Sequence, residues 1–191
     1  MEQVLAAWRA GESVGVATVV RTFRSAPRPP GASMAVLADG RVVGSVSGGC
    51  VEGAVYEAAR NDQTGLHRYG VSDDDAFAVG LTCGGILDVF VETVSRSTFP
   101  ELGAVASAIA EHRPVAVTTV IEHPDADRVG GRIVVEPDTA SGTLGSPRAD
   151  AAVIDDARGL LEAGRTDVLH YGPDGQRRGE GMTVFVNSFA P

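Results

Sequence analysis

Lysine is absent from this chain of 191 residues, and all of its 16 basic residues are arginine. Schiff-base chemistry on lysine and a lysine-containing phosphate loop are therefore excluded, and any anion must be held by arginine or by backbone amides. No Ser-His-Asp signature, Walker motif or G-x-G-x-x-G dinucleotide fingerprint occurs. The formal net charge of −9 at pH 7 also argues against general nucleic-acid binding.

Long apolar runs and a basic leader segment are also missing. No stretch approaches the length of a transmembrane span, and the first residues carry no basic region ahead of an apolar one. Only two cysteines are present, which is not the pattern of a secreted disulfide framework. These absences predict a cytoplasmic globular protein that does not contact a membrane.

The chain contains two related halves, residues 1–95 and 96–191. Apolar and β-branched runs recur in the same order, so that residues 15–20 are echoed by 115–121 and residues 67–70 by 169–172. Each half predicts a helix, three strands, a second helix and two further strands. Because each half alone would be a marginal domain, we expect an α/β (α+β) fold of two pseudo-symmetric halves that share one core.

Both cysteines lie in glycine-rich junctions of the first half, Ser47-Gly48-Gly49-Cys50 and Thr82-Cys83-Gly84-Gly85. Glycines allow the backbone to turn sharply or to approach a ligand closely. The corresponding positions of the second half, residues 145–148 and 177–180, contain no cysteine. A residue needed only for the fold would more often occur in both halves, so this difference favours a function for both thiols.

The residues after Cys50 have apolar side chains at helical spacing, which predicts that Cys50 lies at a helix N-terminus. Backbone amides and the positive end of the helix dipole attract anions at such a position and favour a thiolate. The alternative is a structural cysteine beside a tight turn. Glu52 is placed to interact with the same dipole, and this structural role is favoured over that of a proton acceptor for Cys50.

Residues 25–31 form a proline-rich segment that carries Arg28 between prolines. A loop stiffened in this way presents a guanidinium at low entropic cost, which suits the binding of a phosphate or a carboxylate. A rigid connection between two strands is the equally weighted alternative.

Three segments in this order resemble the motifs of the XdhC/CoxI family: APRPPGASM at 26–34, GSVSGGCVE at 44–52 and LTCGG at 81–85. Members are accessory factors for molybdenum hydroxylases such as xanthine dehydrogenase and carbon monoxide dehydrogenase. The resemblance covers essentially the whole chain, without the Rossmann-like domain that usually follows these motifs. It implies a chaperone that binds molybdenum cofactor (molybdopterin) as cargo, protects it during sulfuration and delivers it to a hydroxylase.

On this resemblance, Cys50 and Cys83 are the residues expected to carry the chemistry, by contacting the molybdenum or handling sulfur. The implied cofactor-binding residues all belong to these motifs: Arg28, Ser47, Gly48, Gly49, Cys50, Glu52, Thr82, Cys83, Gly84 and Gly85. The expected partner is a molybdenum hydroxylase. A cysteine desulfurase, a separate Rossmann-domain XdhC protein and a second copy of the chain are further candidate partners.

A different class of function is also open, namely a thiol oxidoreductase or persulfide-transfer enzyme that uses Cys50 and Cys83 as a pair. Redox pairs usually have C-x-x-C spacing, so the wide separation slightly favours cofactor binding. A third alternative is a scaffold with inert cysteines. If both thiols act on the cofactor, they should lie on one rim of the first half and face one cleft, with Arg28 near its mouth.

Overall fold

The computed structural model describes residues 1–70 and 85–191. These residues form two compact units, Met1–Thr98 (unit 1) and Phe99–Pro191 (unit 2). The elements of unit 1 are α1 (Glu2–Arg9), β1 (Val14–Phe23), β2 (Ser33–Val36), β3 (Val42–Gly44), α2 (Glu52–Arg60), β4 (Gly65–Tyr69) and β5 (Ile86–Val94). The elements of unit 2 are α3 (Leu102–Ala110), β6 (Val115–Glu122), β7 (Arg132–Val135), β8 (Ala140–Thr143), α4 (Pro147–Glu162), β9 (Asp167–Tyr171) and β10 (Met182–Phe189).

Each unit contains one five-stranded antiparallel sheet, and the two sheets have the same topology. The strand order is β3-β2-β1-β5-β4 in unit 1 and β8-β7-β6-β10-β9 in unit 2. The predicted mixed α/β class and the internal duplication are therefore confirmed, because element order and strand connectivity repeat. The expectation that the two halves share one core stays a prediction.

In unit 1, one face of the sheet packs against α2. The apolar positions that predicted this helix, Val55, Ala58 and Ala59, are buried in one cluster with alternate residues of β1 and β5. Gly15 of β1 permits the close approach of the helix, since a Cβ placed there would lie 2.5 Å from the carbonyl oxygen of Ala59. The core of unit 1 is thus formed by every second residue of the strands and by the residues of α2 that recur at helical spacing.

Several connections of unit 1 leave the sheet at the same end. Phe23 at the end of β1 pairs with Ile86 at the start of β5, and β4 ends at Tyr69 opposite Leu87. At this end, too, β2 begins and β3 finishes, since Met34 pairs with Gly44. We call this end of the sheet, with residues 24–32 and 45–51, the unit 1 rim. Antiparallel pairing therefore brings the Arg28 segment and the Cys50 junction to the same end of the sheet.

Candidate functional site

The junction between β3 and α2 is folded around the carboxylate of Glu52. Its Oε1 accepts hydrogen bonds from the Ser45 hydroxyl at 2.6 Å, from the Ser47 amide at 2.9 Å and from the Val46 amide at 3.3 Å. Its Oε2 accepts from the Gly49 amide at 2.7 Å and from the Ser47 hydroxyl. One side chain in the first helical turn therefore fixes the whole loop that leads to Cys50.

The same hydrogen bonds determine the charge state of Glu52. Burial raises the pKa of this carboxyl, but the hydrogen bonds from Ser45, Ser47 and Gly49 outweigh it and lower the pKa from 4.5 to about 2. Glu52 is therefore a fixed, ionised acceptor near neutral pH and a very weak base. This geometry supports the structural role over that of a proton acceptor for Cys50.

Unit 2 repeats this arrangement with an aspartate. Asp150 accepts hydrogen bonds from the Thr143 hydroxyl at 2.8 Å and from the Leu144 amide at 2.7 Å, at the same sequence separations as Glu52 with Ser45 and Val46. The junction carboxylate is thus an element of the duplicated fold. The two units differ in the residues of this junction, because unit 1 has Cys50 there and residues 145–148 of unit 2 include no cysteine.

Gly48 and Gly49 shape the unit 1 junction through their backbone conformation. Their φ angles of +76° and +123° lie in the left-handed region that favours glycine. Apart from their chain neighbours, residues 1–70 and 85–191 place no atom within 4 Å of a Cβ built on either glycine. Both glycines are among the cofactor-binding residues that the family resemblance implied, but their amides donate to the Ser45 hydroxyl at 2.9 Å and to Glu52 at 2.7 Å. The loop as it stands uses both donors internally.

Cys50 is a half-buried thiol that directly precedes Val51, the N-cap of α2. This agrees with the predicted position at the start of a helix. The Val51 amide donates to the Ser47 hydroxyl at 3.0 Å, so the backbone beside the thiol is tied to the junction. The Cys50 side chain packs against the core cluster of unit 1, as do Ala26 and Ala32 of the Arg28 segment.

Arg28 is exposed on the unit 1 rim. Its guanidinium makes no hydrogen bond or ion pair with residues 1–70 or 85–191. Gly85, the last residue of the second cysteine motif, lies against the start of this segment, where a Cβ would overlap the carbonyl oxygen of Ser25. Thr82, Cys83 and Gly84 lie outside the described residues. The structure therefore brings together Cys50, the Arg28 segment and Gly85, while a cleft shared by both sulfurs stays a prediction.

Sequence reasoning overlooked Tyr69, which ends β4 at the unit 1 rim. Its ring is half-buried and packs against the same core cluster as Cys50. The tyrosine occurs in both halves, and this repetition indicated only a fold role. Tyr69 differs from the equivalent tyrosine of unit 2 in its surroundings. One position of the helix that packs on the sheet carries a different residue in α2 and in α4.

Metal-binding clusters and membrane-spanning helices are both absent from the described part of the chain. No group of three or more histidine, cysteine, aspartate or glutamate side chains within residues 1–70 and 85–191 is placed to hold a metal ion. None of the helices in these same ranges combines the length and apolar character needed to cross a bilayer.

Comparisons with known proteins give a consistent result. The model of the XdhC and CoxI family matches residues 7–70 and 108–172, which is more than half of the chain. The matched residues include Arg28 and the Cys50 junction, but not the Cys83 motif.

Two curated relatives are similar over just over half of the chain. A probable xanthine dehydrogenase subunit from Bacillus subtilis (strain 168) is 35% identical over 117 residues, which are 58% of this chain and 35% of that protein. The molybdenum cofactor insertion chaperone PaoD from Escherichia coli (strain K12) is 37% identical over 111 residues, which are 56% of this chain and 34% of that protein. The aligned part thus spans about a third of the length of each relative.

The fold is also found in a solved structure. A crystal structure of a xanthine dehydrogenase from Bacillus halodurans matches the whole of this chain and 52% of its own, with a TM-score of 0.66 and 20% sequence identity. At this identity the match supports the fold alone.

Proposed function

Because the chain belongs to the XdhC and CoxI family, we propose that it is a molybdenum-cofactor maturation protein. It binds the cofactor as cargo at the unit 1 rim, protects it there and delivers it to a molybdenum hydroxylase. The name of the Escherichia coli relative, a molybdenum cofactor insertion chaperone, supports this class of function. Binding and transfer, rather than catalytic turnover, are the proposed activities.

One observation carries the proposal. Units 1 and 2 both build a strand-to-helix junction around a carboxylate, Glu52 or Asp150. Unit 1 places a half-buried thiol and two glycines of left-handed conformation on that junction, whereas unit 2 has residues 145–148 without a cysteine. A common framework with a thiol in one copy is what we expect when the fold is retained and one copy has a chemical task.

The proposed roles follow from the chemistry of each residue. The Cys50 sulfur is a soft ligand that suits a molybdenum centre, and it could also carry a sulfur atom to that centre. Arg28, exposed on a proline-stiffened loop, suits the phosphate of the pterin. Glu52 and Ser47 hold the junction in shape, and Gly48 and Gly49 keep its outer surface bare. Among the remaining residues we propose for the site, Gly85 packs against the Arg28 segment, and the others are Thr82, Cys83 and Gly84.

The proposed partners are those that the cargo requires. A molybdenum hydroxylase receives the cofactor, and a cysteine desulfurase is the class of enzyme that would supply sulfur for a sulfurated form. A separate protein with a Rossmann domain would complete the usual family architecture, and a homodimer is a further proposed assembly.

The test is retention of the cofactor by the purified chain. Molybdenum cofactor is released anaerobically from a molybdenum hydroxylase, mixed with the protein and separated by gel filtration, and molybdenum and pterin are measured in the protein fraction. We expect wild type to retain both and Cys50→Ser to retain about tenfold less, because a ligand to the molybdenum is lost. Arg148→Ala changes the exposed residue at the matching junction position of unit 2 and should retain as much as wild type.

Equal retention by Cys50→Ser and Arg148→Ala would contradict a site at Cys50. Delivery is tested by adding the loaded protein to a cofactor-free hydroxylase and measuring the recovered activity. If the protein retains no cofactor but passes sulfur repeatedly from a persulfide donor to a thiol acceptor, the persulfide-transfer alternative is correct. Mass spectrometry of Cys50 after incubation with the donor identifies that outcome.

A further inference from the structure

Unit 2 anchors the hydroxyl of its tyrosine internally. Tyr171 is 2% exposed, and its hydroxyl donates to Asp156 Oδ2 of α4 at 2.7 Å. The other carboxylate oxygen of Asp156 accepts from Arg177 Nη1 at 2.6 Å. The phenol of unit 2 therefore belongs to a closed polar network, as buried polar groups usually do.

Tyr69 is the counterpart of Tyr171 in unit 1. Tyr69 pairs with Leu87 of β5, as Tyr171 pairs with Met182 of β10. Counting along the helices from the junction carboxylates, Ala58 of α2 stands where α4 has Asp156. Unit 1 therefore keeps the aromatic ring but has a methyl group in place of the carboxylate that anchors the hydroxyl in unit 2.

The Tyr69 hydroxyl has no hydrogen-bond partner within residues 1–70 and 85–191. Its ring is nevertheless held, because it packs against the unit 1 core cluster and lies nearly parallel to the His67 ring, with an interplanar angle of 13°. Burial raises the pKa of Tyr69, so the hydroxyl is a protonated donor near neutral pH. A well-packed ring whose hydroxyl has no partner among the described residues is thus positioned at the end of β4, on the rim that carries Cys50.

We propose that the Tyr69 hydroxyl donates a hydrogen bond to an oxygen atom of the molybdenum cofactor bound at the unit 1 rim. This inference rests on the proposed function and adds to it a specific contact. The loss of the internal acceptor at Ala58, in the unit that carries the thiol, leaves the donor for the cargo. A hydroxyl that meets only water is the alternative that the experiment tests.

The three tyrosines of the chain provide matched variants. Tyr69→Phe removes the proposed donor, and Tyr171→Phe removes the anchored hydroxyl of unit 2. Tyr56→Phe removes a hydroxyl that accepts from Arg60 at 2.6 Å and lies beside Gly40 in the turn between β2 and β3, away from the rim. Each variant is measured for its affinity for molybdenum cofactor released anaerobically from a hydroxylase, and for its melting temperature.

We expect Tyr69→Phe to weaken cofactor binding about tenfold while its melting temperature stays within about 2 °C of wild type. Tyr171→Phe should lower the melting temperature by about 2–6 °C and leave the affinity unchanged. Tyr56→Phe should leave the affinity unchanged.

Cofactor binding by wild type and Tyr69→Phe with equal affinity overturns the inference and leaves the proposed function standing. A melting temperature of Tyr69→Phe as low as that of Tyr171→Phe also overturns it, because the hydroxyl would then be structural. If wild type itself does not bind the cofactor, both the proposed function and this inference are wrong.

Discussion

Replacing Glu52 by glutamine tests whether one carboxylate holds the Cys50 junction in its conformation. The Glu52 side chain accepts five hydrogen bonds from the loop, including those from the Gly49 amide and the Ser47 hydroxyl. Glutamine keeps one acceptor oxygen but turns an NH₂ group toward groups that are themselves donors. The variant therefore loses charge-assisted hydrogen bonds and leaves loop donors without an acceptor.

The size of the effect follows from the pKa of Glu52, which falls from 4.5 to about 2. A tenfold change in proton affinity corresponds to about 1.4 kcal/mol, so linkage gives about 3 kcal/mol. Because solvent reaches the side chain and screens it, we expect a loss of about 2 kcal/mol at pH 7. The folded-state pKa lies below the unfolded value. The contribution is therefore complete above about pH 5 and is lost as the pH falls toward 2.

Urea unfolding of unit 1 can be followed directly, because Trp8 is the only tryptophan in the chain and belongs to α1. The free energy of unfolding of wild type and Glu52→Gln is compared at pH 7 and at pH 3. A second readout is the alkylation rate of Cys50 at fixed pH, measured in a Cys83→Ser background, which should rise when the junction loosens. Asp150→Asn weakens the equivalent junction in unit 2 and should leave this rate unchanged.

Two results would refute this reasoning. One is a free energy of unfolding for Glu52→Gln within about 0.5 kcal/mol of wild type at pH 7. The other is a difference between the two proteins that is as large at pH 3 as at pH 7. At pH 3 the carboxyl is protonated in the unfolded chain but still mostly ionised in the folded one, so less than half of the pH 7 contribution of Glu52 should remain.

Two further predictions concern glycines of unit 1. Gly53→Ala in α2 and its control Gly159→Ala in α4 should each stabilise the protein by roughly 0.5–1 kcal/mol in urea unfolding, since in the described ranges no atom outside the local helix backbone and the chain neighbours lies within 4 Å of the added methyl group. Only Gly53→Ala, beside the Cys50 junction, should weaken cofactor binding, and equal affinities would show that the cargo does not use that surface. Gly85→Ala should destabilise unit 1 by about 1–3 kcal/mol, because its methyl group would overlap the Ser25 carbonyl; an unchanged urea midpoint of unit 1 would contradict this contact.

The fold could be predicted because its determinants are local and repeated. Runs of β-branched residues gave the strands, and the spacing of Val55, Ala58 and Ala59 gave the buried face of α2. The repetition of both patterns in the second half then predicted two units with one topology, which the strand orders confirm.

The site could be predicted only in part. Its details depend on side chains that hydrogen-bond to the preceding loop and on contacts between a strand and a helix that are distant in sequence. The sequence places Cys50 before a helix, but it does not reveal that the amides of Gly48 and Gly49 already have acceptors. The distinction between Tyr69 and Tyr171 is not visible in their own strands, since it arises from the residue at one position of the facing helix.

The internal hydrogen bonds of the Cys50 junction have a consequence for how tightly any anion can be held there. An anion that takes the amides of Gly48 and Gly49 must displace Ser45 and Glu52, so its binding free energy is only the difference between two sets of similar bonds. Exchange of this kind gives modest affinity and fast dissociation, because the loop regains its own acceptors as the anion leaves. Such a loop is better suited to transient binding than to long-lived binding of an anion.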